Sequence, residues 1–209
     1  MRPWRRSWYY TEVGEPYSWI IGIISVVIAM AGLKAFNIHT YVSPQSSIIV
    51  GVVVGVVVHE MMHRNVARRY GMRSSYVTNW LGVIITLLTA VLPIKLIAPG
   101  YTKVYSYGFS ESRRGILYSV AAGPASNIVM SLVTLVVGVI LKVFSTLPAL
   151  AFTSIWLLNF SYVNFYIALF NLLPIPPLDG YKVLRLAVSL WLLMFFTSLA
   201  LFIVTLLLV

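Results

Sequence analysis

The chain has 209 residues, 60% of them hydrophobic and 10% charged, with fifteen lysines and arginines against five acidic residues. A soluble globular domain carries about a quarter charged residues, so this balance and a mean hydropathy of +0.91 exclude an ordinary soluble domain and indicate an integral membrane protein. The net charge of +10 does not make a nucleic-acid-binding face, because the basic residues stand in short clusters beside apolar runs, and the lack of cysteine removes disulfides, thiolate metal sites and cysteine nucleophiles.

Six apolar segments follow one another, at about residues 17–36, 46–63, 79–98, 115–141, 149–173 and 184–209. Ahead of the first, the basic start and the later "AMA" mimic a secretory signal. The leading region is long, however, carries Glu12 and Glu15, and the apolar run continues past the small residues, so an uncleaved first helix is expected. Arg2, Arg5 and Arg6 place the N-terminus in the cytoplasm, and Arg64, Arg68, Arg69 and Arg73 follow the second segment back inside.

The third segment decides the topology. If 79–98 dips in and returns, Lys103, Arg113, Arg114, Lys182 and Arg185 also stay inside, and twelve of the fifteen basic residues share one face. Lys34 and Lys142 then lie outside, with Lys95 unassigned. Pro93, Pro99 and Gly100 break the helix pattern here, and non-helical backbone is tolerated at depth where protein buries it. The expected fold is an all-α polytopic membrane protein with five spanning helices and a re-entrant hairpin, a sixth crossing being the alternative. No polar connector is long enough for a separate soluble domain, so specificity lies in the membrane core and its short loops.

Chemistry concentrates in "VVVHEMMHRNVARRYG", residues 56–71. His59 and His63, four apart on a helix, project from one face and can share a metal, while Glu60 can reach a metal-bound water without ligating the metal. Ionisable groups are costly in a bilayer, and snorkelling at a helix end normally recruits Lys or Arg rather than Glu. A hydrolytic zinc needs a third protein ligand and one open position. Glu12 and Glu15 sit in a basic arm, Glu111 beside two arginines, and His39 in the connector after the first helix. Asp179, the one aspartate, follows the break in "FNLLPIPPLDGYKVLR", where Pro174, Pro176 and Pro177 prevent regular helix. It is either the third ligand or the cap of the last helix, and elimination favours the ligand. In "AAGPASN", Gly123 and Pro124 fit a helix entry or a close helix contact, and Asn127 faces the bundle in a packing or a catalytic role. One aspartate is too few for an aspartyl-type intramembrane protease, and no rhomboid-like serine segment is present.

"HEMMHRNVARRYG", "AGPASN" and "NLLPIPPLDG", in this order, resemble the site-2 protease family of intramembrane zinc metalloproteases, peptidase family M50, over roughly residues 50–190. The resemblance implies a three-helix catalytic core, one zinc ion held by His59, His63 and Asp179, Glu60 as general base, and a site within the membrane nearer the cytoplasm. It divides the chain into an N-terminal arm with the first transmembrane helix (1–45), the metalloprotease core (46–190, with re-entrant segment 79–108) and the remaining C-terminal helix (191–209). Met62 stands where the family often has glycine, the 79–98 insertion exceeds the minimal pattern, and no PDZ-like domain is present.

The expected activity is hydrolysis of peptide bonds within or near transmembrane segments of membrane-protein substrates. The expected setting is the lipid bilayer of the plasma membrane, with no nucleic-acid partner. Because a transmembrane helix hides its peptide bonds, the substrate must unwind. The broken backbone around Pro176 and the 98–108 hairpin offer edges for an extended strand, and Asn171 can bond that strand, bond the oxyanion, or simply end its helix. A non-enzymatic metal-binding protein or metal transporter is the alternative, and a transporter would want more polar residues along a continuous path.

Overall fold

The computed structural model describes residues 13–32, 39, 46–92, 95–105 and 113–209. Arg2, Arg5, Arg6, Glu12, Lys34, Pro93 and Glu111 lie outside the described residues. Three helices, α2 (Ser46–Arg69), α4 (Arg113–Val143) and α5 (Pro148–Asn171), pack against one another. Helix α7 (Val188–Leu208) lies along α5, and α1 (Glu15–Ala31) along α2. Four of these, α2, α4, α5 and α7, are long and apolar enough to cross a bilayer. Helix α1 has 17 residues, about the minimum for a span.

The bundle wears its apolar side chains outward: Val129, Val133 and Ile140 on α4, and Leu193 and Phe196 on α7, are exposed, while Ser131, Ser154, Ser161, Asn127 and Asn164 are buried. In lipid, hydrophobic side chains gain nothing by turning inward, so small and polar residues make the close helix contacts. Ser154 Oγ donates to Gly138 O and Ser161 Oγ to Ser131 O, each at 2.8 Å across the α4–α5 seam.

Between α2 and α4 the all-α expectation needs correcting. Strand β1 (Arg73–Thr78) pairs antiparallel with β2 (Gly100–Tyr105), Arg73 opposite Tyr105 and Thr78 opposite Gly100. Both are rich in β-branched and aromatic residues, but each becomes a strand only through a partner far along the chain. Tyr76 and Thr102 stand opposite each other, and their amides point away from the ladder to carboxylates: Tyr76 N donates to Glu15 Oε1 (3.3 Å) and Thr102 N to Glu60 Oε2 (2.7 Å). Two carboxylates thus occupy the outer edges of the sheet.

The segment between the strands holds α3 (Trp80–Leu88) and a 3₁₀ turn (Thr89–Val91), together about 18 Å long against a hydrocarbon core of about 30 Å. Its return has no regular structure, and its amides donate to side chains of α3 and of the turn: Ala98 N to Thr86 Oγ1 (3.1 Å) and Leu96 N to Thr89 Oγ1 (3.2 Å).

Two further expectations change. Gly123 and Pro124 lie inside α4, not at its entry, and Gly123 makes the close helix contact that is the other expectation, packing against His59 and His63 of α2. The last apolar segment is two helices, α6 (Asp179–Leu186) and α7, separated by extended Ala187, with Arg113 donating to the freed Leu186 carbonyl at 3.2 Å. The expected boundary at 190/191 therefore falls within α7.

Candidate metal centre

His59 and His63 lie one turn apart on α2, both buried, their rings edge to face with centroids 4.6 Å apart. Asp179 comes from the far end of the chain. Helix α5 stops at Asn171, where the following prolines deny the helix its donors, and α6 starts at Asp179. A Cβ on Gly180 would overlap the Leu172 carbonyl, so only glycine lets α6 begin this close to the end of α5. Trp191 Nε1 donates to that same carbonyl at 2.8 Å, and Val183 is fully buried behind it. Asp179 is the first helical residue, and the cap position belongs to Leu178.

Asp179 Oδ2 lies 2.8 Å from His63 Nε2 and 3.1 Å from His59 Nε2, and Oδ1 lies 3.0 Å from Lys182 Nζ. Among the described residues this is the one place where three metal-ligating side chains converge. The other ring nitrogens decide what can lie between them. His63 Nδ1 is 2.7 Å from the Ser119 backbone oxygen, which can only accept, so the proton sits on Nδ1 and Nε2 of a neutral ring is a bare lone pair. His59 Nδ1 is likewise 2.7 Å from Asn127 Oδ1. With both rings neutral, two lone pairs and a carboxylate oxygen face one another with no hydrogen between them. A proton or a metal ion reconciles these atoms, and two imidazoles with one carboxylate form a donor set that suits zinc. Gly123 keeps one side clear: a Cβ there would overlap His63 Nε2 and stand 2.6 Å from His59 Nε2. Pro124 has no N–H to give the Val120 carbonyl, one residue beyond the Ser119 carbonyl that His63 reaches.

Glu60, half-buried next to His59, is held by β2. Thr102 N donates to its Oε2, and the Thr102 hydroxyl lies 2.8 Å from that oxygen and 2.9 Å from the Glu60 carbonyl. Burial, and next the Glu60 charge, push the Tyr76 phenol above its ordinary range and keep it neutral. Asn127 is fully buried, its oxygen on His59 and its nitrogen donating to Gly55 O at 3.2 Å. Asn171 Nδ2 donates back to Ile167 O at 2.9 Å, and Pro176 is exposed in the break. His39 is exposed and stands outside the His–His–Asp group.

The site has three further residues, two of which escape a reading of the sequence. Ser119 acts through its carbonyl, which any residue supplies, and Thr102 acts from a strand that no local pattern announces. Lys182 was legible, as the i+3 neighbour of Asp179 on a helix.

A family model described as Peptidase family M50 matches residues 47–155. A candidate zinc metalloprotease of Methanocaldococcus jannaschii is 33% identical over 128 residues, 60% of this chain and 62% of the relative. Another, from Bacillus subtilis, is 35% identical over 78 residues, 34% of this chain and 33% of the relative. The chain thus spans less than two thirds of the length of these curated relatives. No solved structure matches.

Proposed function

The chain belongs to peptidase family M50, and from that premise we propose that it is an intramembrane zinc metalloprotease cleaving peptide bonds within or near transmembrane segments. One observation carries the reading: the Nε2 atoms of two buried imidazoles and one carboxylate oxygen converge inside the bundle within reach of a single metal ion. His59, His63 and Asp179 hold the ion. Bound zinc would supply Lewis acidity, making water a nucleophile near neutral pH and polarising the scissile carbonyl. Glu60 takes the proton of the attacking water, whose oxygen bonds to the carbonyl carbon, and returns a proton to the leaving amine as the C–N bond breaks. Thr102 holds that carboxylate until substrate occupies β2, and Asn127 and the Ser119 carbonyl orient the imidazoles.

The unwound substrate lies along β2 and the exposed break at 173–178, where Asn171 and Pro176 border it. Segment 79–98 enters and leaves on one face, giving five spans with the N-terminus and the active-site side cytoplasmic in the plasma membrane. The pairing of Thr78 with Gly100 supports this topology, since it closes the segment at its base. The reading is tested by incubating the purified full chain with a model transmembrane segment and measuring metal content alongside. Cleavage at near-stoichiometric zinc supports it, and zinc-loaded protein that leaves every such segment intact refutes it.

A further inference from the structure

Asn127 can present either end of its amide to His59, and that choice sets which imidazole nitrogen faces Asp179. An amide oxygen there places the hydrogen on Nδ1 and leaves Nε2 bare, whereas an amide nitrogen would do the reverse. The choice is made one side chain further back. Asn164, on α5, is fully buried, and its Nδ2 donates to two backbone carbonyls, Gly51 O at 3.1 Å and Phe160 O at 3.0 Å. Carbonyls can only accept, so the orientation of this amide is fixed. Its Oδ1 therefore faces Asn127 and accepts from Asn127 Nδ2 at 2.9 Å. Asn127 Nδ2 also donates to Gly55 O. With both amide hydrogens committed, Asn127 has only its oxygen left for His59, 2.7 Å away. Gly55 makes room for the arrangement: a Cβ there would overlap Asn164 Oδ1 and lie 3.2 Å from Asn127 Nδ2.

We infer that Asn164 is a positioning residue of the metal centre, selecting through Asn127 the Nδ1–H form of His59 and so fixing Nε2 as the ligand atom. The inference rests on the reading of His59, His63 and Asp179 as a metal site. Helix α5 contributes no ligand, yet in this way it governs the chemistry of one. The effect is directional, because every bond in the series has a donor and an acceptor that cannot trade places while the carbonyls of Gly51 and Phe160 stay where they are. A neutral imidazole in the wrong tautomer turns an N–H toward the metal and is no ligand at all.

The full chain holds three histidines, so an imidazole nitrogen spectrum of ¹⁵N-histidine-labelled protein is simple to assign. In the metal-free parent, at a pH where free imidazole is neutral, His59 should carry its hydrogen on Nδ1. Asn164→Leu should move a measurable fraction to the Nε2–H form and lower zinc affinity, measured by chelator competition, about tenfold. Ser161→Ala breaks a neighbouring bond on the same helix and should change neither readout. If Asn164→Leu lowers the melting temperature but leaves tautomer and zinc affinity at parent values, Asn164 is a packing residue and the inference is wrong. Should Asn164→Leu fail to fold, Gly55→Ala presses on the same amide without deleting a polar group, and the same two shifts are expected of it. A parent protein with no zinc affinity would sink the metal-site reading, while the tautomer measurement still tests the relay by itself.

Discussion

A single methyl group at residue 123 should separate the stability of the bundle from the integrity of the metal centre. Built on Gly123, it stands 2.6 Å from His59 Nε2 and overlaps His63 Nε2, while ordinary contact begins at 3.4 Å. Relieving the milder clash alone moves a ring by about 0.8 Å. Both rings are pinned on their far side by 2.7 Å bonds to Asn127 and to the Ser119 carbonyl, each worth about 1 kcal/mol. Against that cost, Gly→Ala inside a helix gains roughly 1 kcal/mol of propensity. The metal-free Gly123→Ala protein should therefore unfold within about 1 kcal/mol of the parent. Zinc affinity should instead fall about 100-fold, since both displaced atoms are ligand atoms in the proposed site. Chelator competition and thermal unfolding followed by circular dichroism read the two quantities separately. Parent-like zinc affinity in Gly123→Ala would show that the imidazole nitrogens do not face a metal at this place, and the geometric argument would fall with it.

Glu60→Gln should keep zinc near stoichiometric while cleavage drops by at least about 100-fold, because only proton transfer is lost; a variant that cleaves at parent rates removes Glu60 as the base. Asp179→Asn should lower zinc affinity about 10-fold or more, as a neutral amide is the poorer ligand, and full occupancy would leave Asp179 only its ion pair with Lys182. The natural lack of cysteine makes topology direct to test: Arg69→Cys and Arg113→Cys should be labelled from the same face by an impermeant reagent, and labelling from opposite faces means that 79–98 crosses.

Much of the site could be read from spacing. His59, Glu60 and His63 declare themselves because a helix with period 3.6 puts the histidines on one face in a segment otherwise fit for lipid. Asp179 emerges by elimination, since so few acidic residues exist to choose from. What stayed hidden depends on partners distant in sequence. "RSSYVT" is short, with strand-forming residues only in its second half, and becomes β1 only when β2 lies beside it. Gly123 and Pro124 left helix entry and close helix contact both open, because a proline inside a soluble helix is rare while neighbouring helices in a membrane bundle tolerate it. Ala187 carries no breaking residue type, and the Arg113 side chain that takes the freed Leu186 carbonyl comes from another helix. Asn127 read equally as a packing or a catalytic residue, and its partners lie on two other helices: His59 and Gly55 on α2 and Asn164 on α5 take its polar atoms.

The amide of Thr102 is a single donor, and Glu60 already holds it. A peptide aligning along β2 would seek that same hydrogen, because the opposite side of the strand is taken by β1. Guest and carboxylate are thus mutually exclusive claimants to one N–H. Whatever docks on this edge at Thr102 must evict Glu60 from it, so filling the edge and freeing the carboxylate are a single event. A chain bound elsewhere on the surface leaves Glu60 tethered.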